Sequence, residues 1–141
     1  MNVFNIERAF RHKKERGWDT IYWMVDLHDT IFPGKYASDQ SYDVYPHCVE
    51  VLRWISHRPD QCIIVWTSSY AKDFEKMRVW FWNTHGIFLD YHNENPECGN
   101  TELAEFTTKP YFNILLDDKA GFVGETDWGL IKQELIRIGE W

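Results

Sequence analysis

Three carboxylates, a cluster of hydroxyls and one lysine carry the chemistry in this sequence. Tyr22-Trp23-Met24-Val25 runs into Asp26 and then into the polar turn Leu27-His28-Asp29-Thr30. Cys62-Ile63-Ile64-Val65-Trp66 runs into Thr67-Ser68-Ser69, and Tyr111-Phe112-Asn113-Ile114-Leu115-Leu116 into Asp117-Asp118-Lys119. Carboxylates from two strands form the hard-oxygen cage that Mg²⁺ takes, because that ion uses one or two carboxylates with water and substrate phosphate. Hydroxyls of Thr67 and Ser68 and an ammonium beside them would bind phosphate oxygens. The ammonium candidate is Lys109, ahead of the third run, if its loop carries it over the same edge.

For these groups to meet, the apolar runs must be neighbouring parallel strands. Short apolar runs followed by turn residues read as buried strands. In an open α/β sheet the carboxyl ends of such strands lie side by side, and ligands bind there. The intervening segments read as helices over residues 5–16, from Pro46 to about His57, over 71–85 and over about 127–138. Asn5 and Asp127 are candidate N-caps, Pro46 suits a first turn, and Gly17 and Gly86 are stops. Ile87-Phe88-Leu89 reads as a further strand, and Asn93–Thr108 as a loop with at most one helical turn. Residues 31–44, rich in turn formers, read as a flap over the site, with Lys35, Tyr36 and Tyr42 able to touch a substrate. Strands alternating with helices give an α/β fold with a mostly parallel sheet.

Composition narrows the function classes. The 141 residues, 44% hydrophobic and 17% aromatic, support one folded domain with a sizeable core. A formal net charge of −7 disfavours counterion-release binding to nucleic acid. Cys48, Cys62 and Cys98 lack metal or disulfide spacing and read as free thiols. The basic run Arg11-His12-Lys13-Lys14 reads as a solvated face. Neither a signal peptide nor a membrane span is apparent, so the cytoplasm is the expected location.

Taken in order, Asp-Leu-x-x-Thr after a strand, a hydroxyl residue after the next, Lys-Pro, and a strand closing on Asp-Asp resemble the haloacid dehalogenase-like (HAD) hydrolases. The motifs span residues 21–122. The resemblance implies a three-layer, Rossmann-like fold over a single domain, 1–141, with an N-terminal helical segment at 1–18. Residues 31–44 are too short for a cap domain and 70–108 is occupied by the basic fold, so a capless member is expected. An open site of that kind suits a large substrate or cover from another subunit. By resemblance, Asp26 is the nucleophile that forms an aspartyl-phosphate, Thr67 binds the phosphoryl oxygen and Lys109 neutralises charge. Asp118 holds Mg²⁺ with Asp26, Asp117 and the backbone carbonyl of His28. The expected substrate is a phosphorylated small molecule or macromolecule.

The sequence departs from the family pattern at one position. Family phosphatases carry a second aspartate two residues after the nucleophile, as acid and base; here it is His28. Histidine titrates near pH 6.5 and can move the same protons, though an imidazole is bulkier and its cation would sit close to the metal. Asp29 points elsewhere on a tight turn. Three outcomes stay open: a phosphatase that uses His28, a stalled phosphoryl acceptor, and a domain that binds a phosphorylated ligand or partner without turnover.

Overall fold

A computed structural model of the chain describes residues 3–34 and 42–141. Its centre is β1 (Ile21–Asp26), whose residues from Ile21 to Val25 are all buried. β1 lies parallel to β2 (Gln61–Trp66) on one side and to β4 (Ile114–Leu116) on the other. β3 (Tyr91–His92) adds to the far edge of β2, giving a four-stranded, all-parallel sheet in the order β3-β2-β1-β4. The uninterrupted apolar runs reflect strands covered on both faces. Four helices flank the sheet, α1 (Ile6–Arg16), α2 (Cys48–Ser56), α3 (Ala71–His85) and α4 (Gly124–Arg137). The architecture is the expected α/β, Rossmann-like one.

Alternation along the strands divides the interior. Ile21, Trp23 and Val25 of β1, with Ile63, Val65, Ile114 and Leu116, join the buried side chains of all four helices in one large core. Tyr22, Met24, Cys62 and Ile64 face the other way and are covered by Tyr91, Cys98, Tyr111, Phe112 and Leu115. The layer over that second face is therefore built largely from the long connection between β3 and β4. The chain steps outward from β1 to β2 and β3, then returns through this connection to the opposite side of β1. Strand order reverses between β1 and β4, and a crevice opens at such a reversal.

Several boundaries differ from the sequence expectation, each for a visible reason. Ile87 and Leu89 are buried in the core without strand pairing; the ladder starts where Asp90 N–H donates to Ile63 C=O at 3.1 Å. The third strand is consequently Tyr91–His92. The fourth is shorter than 111–116 because side chains take over its first bonds. Asn113 Oδ1 accepts the Tyr22 N–H at 2.8 Å, and Asn95 Nδ2 donates to Tyr111 C=O at 2.9 Å. Asn5 is not a side-chain cap but donates to Asn113 C=O at 3.0 Å. α2 begins two residues after Pro46, and α4 begins at Gly124, so that Asp127 caps from inside by accepting the Val123 N–H at 2.7 Å. Gly17 and Gly86 end α1 and α3 in the left-handed conformation expected of them. No helix forms within 93–108, where Cys98 N–H closes a single turn on Asn95 C=O at 3.3 Å.

Cys48, Cys62 and Cys98 are free thiols, the last of them half-buried. Lys35 and Tyr36 of the expected flap lie outside the described residues. Tyr42 packs its ring on Phe32 at 5.4 Å and on Trp80 at 4.9 Å, so it serves the core. No described helix is long and apolar enough to cross a membrane.

Trp23 ties the sheet's centre to its neighbour: fully buried, it donates its indole N–H to Gln61 Oε1 at 2.7 Å. The Gln61 amide nitrogen is buried without a partner, so the indole contact is the side chain's remaining compensation. Trp23→Phe leaves a void and strips Gln61 of that bond. Urea unfolding is expected to show a loss of about 2–4 kcal/mol.

Candidate active site

The site begins with the turn after β1. Ile31 N–H donates to Leu27 C=O at 2.9 Å and Asp29 N–H to Phe32 C=O at 2.7 Å, which folds the chain sharply back. Asp29 adopts a left-handed φ of 62° there, and its carboxylate accepts the Gly34 N–H at 2.9 Å, pointing away from Asp26 as expected. The turn drives Thr30, Ile31 and Phe32 into the interior. Buried Thr30 then makes three connections. Its carbonyl accepts the Trp128 indole N–H at 2.7 Å, its hydroxyl accepts the Asp118 N–H at 3.1 Å, and that hydroxyl faces Asp26 Oδ2 at 3.4 Å.

β4 delivers the second half. Asp117 follows it in extended conformation and caps the 3₁₀ turn Asp118–Ala120 by accepting the Lys119 N–H at 2.9 Å. Asp26, Asp117 and Asp118 each present a carboxylate oxygen within 4.8 Å of the other two. Burial chiefly, then the hydrogen bond to Asp118 and the charges of Asp117 and Asp118, push the Asp26 carboxyl up to about 7 against the opposing Leu27 N–H. Three half-buried carboxylates this close are a fit for a hard divalent cation: all donors are oxygen, and a cation removes the mutual repulsion.

A cleft of about 330 Å³ opens beside the trio. Asp26, Asp117 and Lys119 line one part, and Trp66, Thr67, Ser68 and Asn93 the rest. Asn93 holds Thr67 at both ends, its carboxamide accepting the Thr67 N–H at 2.8 Å and donating to the Thr67 carbonyl at 2.7 Å. The Thr67 hydroxyl donates to Ser69 Oγ at 3.1 Å and accepts the Ser69 N–H at 3.2 Å, so Ser69 shapes the turn.

The structure thus brings Asp26, Thr67, Ser68, Asp117 and Asp118 to one edge. It does not bring Lys109 there. Asn113 N–H pairs with Tyr22 C=O near the start of β1, which leaves Lys109, still earlier in the chain, on the amino-terminal side. Lys109 lines a separate hollow with Glu105, Phe106 and Tyr111. Among the described residues, the cation lining the cleft is Lys119. His28 is also outside the cleft lining: its ring lies edge-on to Phe32, centroids 5.5 Å apart at 84°. Lys119 was readable as the residue directly after the acidic pair. Asn93 had no signal, because its role depends on a left-handed φ of 56° in a loop.

Two consequences can be measured. Thr30→Val keeps the shape but leaves the Asp118 N–H without its acceptor, and denaturant unfolding should show a loss of about 1–3 kcal/mol. Asp26 titrates higher folded than unfolded, so its ionisation works against the fold. Its full stability is present below the ordinary carboxylate range near pH 4 and is lost as pH rises to about 7. In EDTA, Asp26→Asn should therefore overtake the wild type in Tm between those limits and stay above it at pH 8. Added Mg²⁺ should close the gap by raising the wild-type Tm.

No family model matches the chain, and comparison with curated proteins and with solved structures returns no match.

Proposed function

We propose that the chain is a Mg²⁺-dependent phosphohydrolase of the haloacid dehalogenase-like type, acting through an aspartyl-phosphate on Asp26. One observation carries this reading: Asp26, at the carboxyl end of the central strand, lines a cleft and has two further carboxylates within 4.8 Å. An Asp26 oxygen attacks phosphorus while the ester oxygen departs with its electron pair and takes a proton, leaving the alcohol. Water then attacks the phosphoryl group, gives up a proton, and returns Asp26 as a carboxylate with release of phosphate. Ser68 donates to the phosphoryl oxygens, as does Thr67 once its hydroxyl turns from Ser69 Oγ, and the Lys119 ammonium offsets their charge in the role that the resemblance assigns to Lys109. Asp26, Asp117 and Asp118 would hold the Mg²⁺, which when bound supplies charge neutralisation between nucleophile and phosphate.

The packing of His28 against Phe32 favours a second reading, a weak or non-catalytic domain that binds a phosphorylated ligand. With no imidazole among the described residues that line the cleft, His28 does not serve as the acid for departure of the alcohol, a contribution of about 10²–10⁴ in rate. Esters of acidic alcohols suffer least from that lack.

The wild type with Mg²⁺ is expected to release 4-nitrophenol from 4-nitrophenyl phosphate far faster than phosphate from glycerol 1-phosphate. Asp26→Asn should lower the first rate by roughly 10³ or more, and EDTA should abolish it. Calorimetric binding of phosphomonoesters with no phosphate released from any of a broad panel would sink the enzymatic reading and favour the binding one.

A further inference from the structure

Among the described residues that line the cleft, the proposed chemistry leaves one side chain unused, the indole of Trp66. β2 is buried from Gln61 to Val65 and emerges only at Trp66, which is 36% exposed. In the parallel register Trp66 is level with Asp26, so both side chains leave the sheet on the same face. The other tryptophans are engaged within the fold. Trp23 bonds to Gln61, and Trp18, Trp54, Trp80, Trp82, Trp128 and Trp141 each meet another ring. Among the described residues Trp66 meets neither a ring nor a cation. A partly exposed indole beside a nucleophile offers a flat π-surface, on which planar rings stack whatever their hydrogen-bonding edges. The cleft, about 330 Å³, is of a size for a small ligand. An uncharged ring also suits a site whose carboxylates oppose any anionic group beyond the phosphate.

We propose that Trp66 is a specificity-determining residue that stacks on an aromatic ring in the organic part of the substrate. The substrate class is then a phosphomonoester bearing a planar ring, in preference to a saturated sugar or alkyl phosphate. This rests on the phosphohydrolase reading above. The ring can be a nucleobase or a phenyl group, and the test separates them.

Two ester pairs share the leaving oxygen of a primary alcohol and differ in the ring: adenosine 5′-monophosphate against ribose 5-phosphate, and benzyl phosphate against cyclohexylmethyl phosphate. The readout is the ratio of kcat/KM within each pair, with Mg²⁺ present. Trp66→Leu should lower at least one ratio about tenfold, through KM, and Trp66→Phe should restore most of it. The pair that responds identifies the ring. Ratios near one in the wild type, or ratios unchanged in Trp66→Leu, overturn the proposal. Calorimetric titration of the same four esters into the Asp26→Asn protein, with and without Trp66→Leu, reads the preference without turnover. Ring-selective binding lost with Trp66, while the wild type with Mg²⁺ releases no phosphate from any of the four esters, upholds the assignment of Trp66 and overturns the phosphohydrolase reading. Absence of ring selectivity in both assays overturns the assignment while leaving that reading intact.

Discussion

The Thr30 hydroxyl meets the Asp118 N–H and the Asp26 carboxylate, and the Thr30 carbonyl meets the Trp128 indole. Those contacts join the end of β1, the turn after β4 and the helix α4, which are distant in sequence. In the dry interior each unmet polar group carries a penalty larger than the net gain of an ordinary bond. The turn Leu27–Phe32 must therefore fold back tightly enough to bury Thr30, and Trp128 must pack beneath it. The separation of the three carboxylates is set by this arrangement, with the cleft as its solvent-facing consequence.

That arrangement concentrates negative charge where burial already disfavours it. The elevated Asp26 carboxyl is the electrostatic signature of a site whose groups are held together by the fold and against their own repulsion. An ordinary ion-pair network relieves itself with a neighbouring cationic side chain. Among the described residues the only cation lining the cleft is the exposed Lys119, and Asp117 is engaged with that residue's backbone N–H.

Much of this was legible in the chain. Each β-rich apolar run ending in Asp26, Thr67 or Asp117 became a strand of one parallel sheet, because continuous burial leaves an unbroken hydrophobic signature. The long amphipathic helix over 71–85 was readable to the residue from its apolar spacing and Gly86. Lys109 misled because Lys-Pro before a strand carries no information on which end of that strand its loop will visit. The third strand was displaced from Ile87-Phe88-Leu89 because periodicity records burial, and a residue can be buried without pairing. Asn93 and Asn113 were opaque for a related reason: both act through side-chain amides standing in for backbone bonds, a role that neither a loop reading for Asn93 nor a strand reading for Asn113 carries.

The two outer strands of the sheet, Tyr91–His92 and Ile114–Leu116, are short, and the approach to the second has its bonds taken up by Asn113 and Asn95. Edge strands offer unpaired backbone groups as a template for other chains. The most apolar strands, β1 and β2, occupy the interior of the sheet, shielded at each margin by a ladder only two or three residues long. The same economy of strand length that narrows the sheet around its site thus leaves little edge for intermolecular strand addition, a safeguard against aggregation in a chain with so aromatic a core.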